Sequence, residues 1–335
     1  MKAIGIVANP ASGKDIRRLV SHATVVDNHE KINIVERIIL AAQSLGVQKV
    51  YMMPDTYQIG RKVEDNLKTS KELELTIEIL DMRLTGSYQD SAEAARLMVL
   101  LGVGCVIVMG GDGTCRAVAK CIEDIPFIGL STGTNNVYPQ MIEGTVVGMA
   151  AAIMASDLKE VRKVACTKDK RIEIYKNGEF IDIALVDVVI STSLYVGAKA
   201  IWHFDEIMKV LVTRANPASI GFSAIVGCLT RVTPEDDFGI AIDLNEAGRG
   251  YMCPIAAGIL KEIRIDAPCR FDVGERYSYE PVQRGMIALD GEREIKFNKG
   301  DVFEFKLTRQ GPMHVNVQKA ITYAQDKGFF KIETR

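Results

Sequence analysis

Apolar and polar positions fall into two textures along this chain, and the change comes near residue 170. In the first half, short runs of branched apolar residues alternate with longer stretches whose apolar positions recur at helical spacing. The runs Ala3–Ala8, Lys49–Met53, Leu75–Leu80, Cys105–Met109 and Pro126–Leu130 predict buried strands. Between them, Ile34–Ala42, Tyr57–Lys68, Ser87–Leu101 and Cys115–Lys120 predict helices, and Thr145–Ala155 adds a helix of small residues. Thr114 stands where it would N-cap the Cys115–Lys120 helix. Such alternation predicts a parallel, doubly wound α/β domain with ligand sites at the strand C-termini.

Beyond residue 170 the runs are shorter and closer together. Strands are predicted at Arg171–Tyr175, Phe180–Ile190, Ile240–Leu244, Glu262–Ile265, Gly285–Leu289, Glu294–Phe297, Val302–Lys306 and Met313–Val317. Asn177-Gly178, Asp290-Gly291 and Asn298-Lys299-Gly300 supply turn signals between them. That spacing predicts an antiparallel, β-rich sandwich domain. Ala198–Leu211 reads as a helix within it, and Gln318–Lys327 as a terminal helix returning to the first domain. The expected limits are 1–157 for the α/β domain, 158–317 for the β-rich domain and 318–335 for the returning helix.

Composition narrows the function classes. The 335 residues are enough for two domains, and the net charge of −2 gives no reason to expect nucleic acid or an anionic membrane as partner. The seven cysteines show no C-x-x-C spacing, and the four histidines add no zinc pattern. Free thiols, no stretch of eighteen apolar residues and no signal-peptide core lead to the expectation of a cytoplasmic protein.

Chemistry concentrates where the strands end. After Cys105–Met109 comes Gly110-Gly111-Asp112-Gly113-Thr114, a glycine-rich turn leading into a helix. In that geometry backbone N–H groups and a helix dipole face a phosphate. Asp112 is the loop's only ionisable group. It suits removal of a proton from an attacking hydroxyl or help in holding a metal ion, the alternative being a solvated Gly-Asp-Gly turn. After Ala3–Ala8 comes Asn9-Pro10-Ala11-Ser12-Gly13-Lys14. This is not a Walker loop, because Ala8 and Asp15 break that pattern. A phosphate role for Asn9, Ser12, Gly13 and Lys14 and a plain polar turn both remain open. The strand Pro126–Leu130 closes on Ser131-Thr132-Gly133-Thr134-Asn135-Asn136, so two consecutive strands end in polar loops that would form a cleft.

Taken together, these loops resemble the superfamily of NAD kinases and diacylglycerol or sphingosine kinases. Thr132-Gly133-Thr134-Asn135-Asn136 looks like the lipid-kinase and acetoin-operon form of the second loop. The segments from Val196 to Trp202 and from Thr213 to Gly221 look most like the AcoX branch, ATP-NAD-kinase-like proteins named for acetoin catabolism operons. The resemblance implies an NAD kinase-like two-domain fold with nucleotide in the cleft between the domains. It implies phosphate contacts from Gly110, Gly111, Gly113 and Thr114, with Asp112 activating the 2′-hydroxyl of NAD. ATP and Mg2+ are implied as donor and cofactor, NAD as the substrate, and a homodimer or homotetramer as the assembly. In NAD kinases an Asn-Glu pair holds the adenosine; the matching stretch here is Ala184-Leu185-Val186-Asp187, leaving Asp187 as the one carboxylate.

Asp290-Gly291-Glu292 follows the strand Gly285–Leu289 and has two readings. It is a favourable hairpin turn. By resemblance to the lipid kinases it also makes Glu292 a second candidate base, with Asp290 beside the nucleotide. Three functions are carried forward. The first is an ATP-dependent kinase of the NAD kinase type, acting on NAD or a related hydroxyl-bearing metabolite. The others are a lipid kinase and a non-catalytic nucleotide-binding regulator.

Overall fold

The chain begins with a strand, β1 (Ala3–Ala8), whose six residues are all buried, as a central parallel strand requires. The computed structural model describes residues 2–12, 22, 24, 26–192, 206–291 and 293–332. After β1 come α1 (Asn28–Ser44), β2 (Lys49–Met52), α2 (Ile59–Thr69), β3 (Thr76–Ile79) and α3 (Tyr88–Leu100). Next are β4 (Val106–Gly110), α4 (Asp112–Ala119), β5 (Pro126–Ser131), α5 (Gly144–Met154), α6 (Val161–Ala165) and β6 (Cys166–Lys168). Strands β3-β2-β1-β4-β5 pair in that order, all parallel. Side chains of α1, α2 and α5 pack in one core below the sheet, and α3 and α4 in another above it. This is the doubly wound arrangement that the alternating pattern predicts. The small residues of α5 have a packing role: a Cβ on Gly148 would sit 2.3 Å from the Ile38 carbonyl oxygen of α1.

The second domain holds β7 (Arg171–Lys176), β8 (Glu179–Ala184), β9 (Asp187–Ser191), β10 (Ile207–Val212), α7 (Phe222–Gly227), β11 (Phe238–Ala256) and β12 (Ile259–Ile265). It continues with β13 (Cys269–Asp272), β14 (Arg276–Tyr279), β15 (Gly285–Leu289), β16 (Arg293–Phe297) and β17 (Phe303–Thr308). One sheet runs β12-β11-β10-β9-β15-β16, with β13 beside β11; the other runs β14-β17-β7-β8. Ile172, Ile174, Ile190, Leu211, Phe297, Phe303 and Phe305 fill the space between them, so this is the expected antiparallel sandwich. Helix α7 covers the outer face of the larger sheet.

Several expectations are corrected. The predicted single strand Phe180–Ile190 is two strands in two different sheets, because the chain breaks at Leu185-Val186, where a buried carboxylate captures the backbone amides. Of the predicted helix Ala198–Leu211, residues 207–211 form β10, since its alternating residues pair with both β9 and β11; 198–205 lie outside the described residues. The strand predicted at Met313–Val317 is not part of the sandwich. It is β18 (Met313–Val315), inserted between β5 and β6 in the first sheet, followed by α8 (Val317–Asp326) on the first domain's core. The chain passes from the first sheet to the sandwich between β6 and β7 and returns to the first sheet between β17 and β18.

Candidate functional site

Loops from the C-terminal ends of β1, β4 and β5 meet at one edge of the first sheet. Asn9 N donates to the Met109 carbonyl at 3.1 Å, and Asn9 Nδ2 donates to Thr114 Oγ1 at 3.0 Å. Thr132 Oγ1 donates to Ser12 Oγ at 3.0 Å, and Thr132 N to the Gly110 carbonyl at 3.4 Å. The structure thus brings together Asn9, Ser12, Gly110, Thr114 and Thr132, residues separated by as much as 123 positions in the chain. Thr24 N donates to Thr134 Oγ1 at 3.2 Å and Val26 N to the Thr132 carbonyl at 3.2 Å, so the chain ahead of α1 lies against the second loop. Gly13 and Lys14 lie outside the described residues, as do Glu292 and 196–202.

The glycines of the turn are there for close approach. A Cβ on Gly110 would lie 2.6 Å from Thr114 Cβ, and one on Gly111 would lie 2.8 Å from Asn136 Oδ1. Helix α4 begins earlier than the sequence predicts. Gly111 is its N-cap, and Asp112, Gly113 and Thr114 form its first turn. Thr114 is therefore not the cap; its hydroxyl is committed to Asn9 instead. Gly111 brings no capping side chain, and a helix N-terminus capped by glycine is a position suited to an anion.

Asp112 is half-buried, and its carboxylate is oriented by the second loop. It accepts from Tyr138 N at 2.8 Å and from Val137 N at 3.1 Å. Asn136 Nδ2 donates to Ser131 Oγ at 2.8 Å and to the Gly133 carbonyl at 3.3 Å, while Asn135 Oδ1 is buried without a donor. The second loop is built around its own polar side chains.

Residues that the motifs do not include hold this edge in place. Lys31, on α1, is buried and donates through Nζ to the carbonyls of Asn9 (3.0 Å) and Ser12 (2.9 Å) and to Asn28 Oδ1 (3.1 Å). Its signal in the sequence is a lysine on the apolar stripe of α1, four residues before Val35 and seven before Ile38. Behind Asp112, Tyr138 donates its hydroxyl to Asp169 Oδ2 at 2.6 Å. Arg214 Nη2 donates to the same oxygen at 3.1 Å, and His314 Nδ1 is 3.5 Å from it. Burial raises the Tyr138 pKa and lowers that of His314. Burial opposes the charges of Asp169 and Arg214 too, but their mutual attraction prevails, so Asp169 titrates low and Arg214 high.

Asp290 and Asp187 form a separate group. Asp290 does close a hairpin turn, with φ +49° followed by Gly291 at +71°. Its side chain, however, is turned inward and fully buried, accepting from Leu185 N, Val186 N (2.8 Å) and Asp187 N (3.1 Å). Arg116 Nε of α4 lies 3.8 Å from Asp290 Oδ2. Burial pushes the Asp290 pKa up against the pull of Arg116 and the three amides. Asp290 thus binds its own backbone and joins the domains. Asp187 is buried at the start of β9, its carbonyl accepting from Asp290 N at 3.0 Å. Val186, standing where NAD kinases carry an amide, is buried against α4 in the interdomain core. Asn245-Glu246 is an exposed bulge in β11.

A cavity of 380 Å³ lies at the opposite end of α4, lined by Lys120, Lys168, Arg171 and Arg309 among others. Each of these cations is already paired, with Asp182, Asp124, Glu173 and Asp237 respectively, so it offers no uncommitted charge to an anionic ligand. Among the described residues no three His, Cys, Asp or Glu side chains converge as a metal-binding group, and no helix is long and apolar enough to cross a membrane.

Comparison with known proteins follows the same division. Residues 4–158 match the ATP-NAD kinase N-terminal domain, and residues 170–310 match the acetoin catabolism protein X C-terminal domain. Acetoin catabolism protein X of Cupriavidus necator is 38% identical over 308 residues, covering 89% of this chain and 85% of its own. An NAD kinase of Methanosarcina barkeri is 23% identical over 224 residues, covering 66% and 76%. An NAD kinase of Agathobacter rectalis is 26% identical over 212 residues, covering 59% and 69%.

Proposed function

The chain belongs to the acetoin catabolism protein X family, and from that premise we propose that it is an ATP-dependent kinase of the NAD kinase type. The acceptor is the 2′-hydroxyl of NAD or the hydroxyl of a related small metabolite. The observation that carries this reading is Asp112. It is a half-buried carboxylate oriented by two amides in the first turn of a helix whose amides carry no side-chain cap. Phosphoryl transfer is mostly a matter of positioning and neutralisation, with one proton to remove.

In this mechanism Gly110, Gly111, Gly113 and Thr114 let the donor phosphates approach the α4 amides. Asn9 and Ser12 from the first loop, and Thr132, Gly133, Thr134, Asn135 and Asn136 from the second, line the same edge. Asp112 takes the proton from the acceptor hydroxyl as that oxygen bonds to the γ-phosphorus and the bond to the bridging oxygen breaks, releasing ADP. The described side chains do not assemble a metal cage: Asp112 is engaged by amides and Asp290 is turned into the protein. A magnesium ion bound with the triphosphate would neutralise its charge.

The test is a coupled assay of NADP formation from NAD, ATP and magnesium, with Asp112→Asn as control. Loss of a general base costs about 10²–10⁴-fold in turnover, and the expected result is product in the wild type with a loss of that size in the variant. Equal turnover in the two would remove Asp112 from the mechanism. ATP raising the melting temperature without product from NAD or a panel of hydroxyl acceptors would instead support a nucleotide-binding regulator.

A further inference from the structure

Resting on Asp112 as the base, we propose that Arg214 is a positioning residue for it, bracing Tyr138 from the second domain and setting a buried positive charge beside the carboxylate. The geometry runs through one side chain. Tyr138 offers its amide to Asp112 at 2.8 Å, while its ring is buried and its hydroxyl reaches Asp169 Oδ2 at 2.6 Å. The Arg214 guanidinium lies 4.6 Å from the centre of that ring and donates to the same Asp169 oxygen at 3.1 Å. Ring stacking and a shared acceptor fix both the position and the rotation of Tyr138, and with it the amide that orients Asp112.

The elements involved make this a link between domains. Tyr138 follows β5, Asp169 sits where the chain first crosses to the sandwich, and His314 lies on β18 just after it crosses back. Arg214 follows β10 in the sandwich itself. Docking of the second domain therefore completes the surroundings of an acid carried by the first. Arg214 Nε is buried without an acceptor, so Asp169 does not use the whole fork. Asp169 first and then Asp112 are among the charges that help keep Arg214 protonated. Among the described residues the other charged or titratable groups around Arg214 are Asp169, Tyr138, His314 and the buried Lys170, with Arg116 one turn along α4 engaged by Asp290.

The test is a carbon-13 NMR pH titration of the Asp112 carboxyl in the full chain, the resonance being assigned by its loss in Asp112→Asn. Removing an opposite charge raises a carboxyl midpoint, so Arg214→Gln should move Asp112 up by about half a unit or more, with Arg214→Lys restoring most of it. Asp169→Asn removes a like charge and should move the midpoint the other way. A purely architectural role predicts no such opposition of sign. A midpoint within about 0.2 units of wild type in a folded Arg214→Gln chain would overturn the proposal. If that variant fails to fold, an unmoved or raised midpoint in Asp169→Asn would do so. The titration needs no turnover: a shifting midpoint in a chain that phosphorylates nothing supports the electrostatic coupling and counts against the kinase reading. An unmoved midpoint in an active kinase rejects the Arg214 role alone.

Discussion

The sharpest energetic prediction concerns Asp290, because its surroundings let the contributions be separated. The side chain is fully buried, serves three backbone amides, and faces Arg116 at 3.8 Å across the domain boundary. Asp290→Ala leaves three amides without an acceptor, at about 1 kcal/mol each. It also strands a buried guanidinium that cannot deprotonate, at roughly 3 kcal/mol. The expected loss is about 6 kcal/mol. Asp290→Asn keeps an amide oxygen for the backbone and tolerates the positive φ, so its loss is mainly that of the stranded Arg116, roughly 3 kcal/mol. Adding Arg116→Met to Asp290→Asn removes that charge and should recover about 2 kcal/mol. Urea unfolding followed by circular dichroism measures all three variants. If the double variant is no more stable than Asp290→Asn, Arg116 is not stranded, and the account of the pair is wrong.

Two other outcomes follow from the same contacts. Lys31→Met deprives two loop carbonyls and Asn28 of their donor, so we expect a loss of roughly 2–3 kcal/mol and a collapse of the ATP-induced rise in melting temperature; an unchanged rise would separate Lys31 from the nucleotide loop. Burial lowers the His314 pKa, so its contribution is present above the unfolded histidine value near 6.5 and is lost as pH falls through the lower folded one. Stability should therefore drop on acidification below about pH 6.5, with a shallower slope in His314→Gln. An equal slope in the variant would assign the effect to other groups.

Local pattern was enough to determine much of this protein. Branched apolar runs ending in Gly110-Gly111-Asp112-Gly113-Thr114 and Ser131–Asn136 specify parallel strands with loops at their C-termini, since both the period and the turn residues are local properties. The same holds for the antiparallel texture after residue 170 and for the Asp290-Gly291 hairpin. Only tertiary structure could decide where a strand belongs. Met313–Val315 reads like any other strand of the sandwich, yet it completes the first sheet, because pairing partners are not written in one strand's own sequence. Likewise the break at Leu185-Val186 depends on Asp290, a hundred residues away, taking amides that would otherwise join a ladder. The candidate site divides along the same line. Its glycines and Asp112 are legible because backbone approach and a lone acid leave a local trace. Tyr138, Asp169 and Arg214 are not, because their roles rest on one shared oxygen that exists only once two domains have folded against each other.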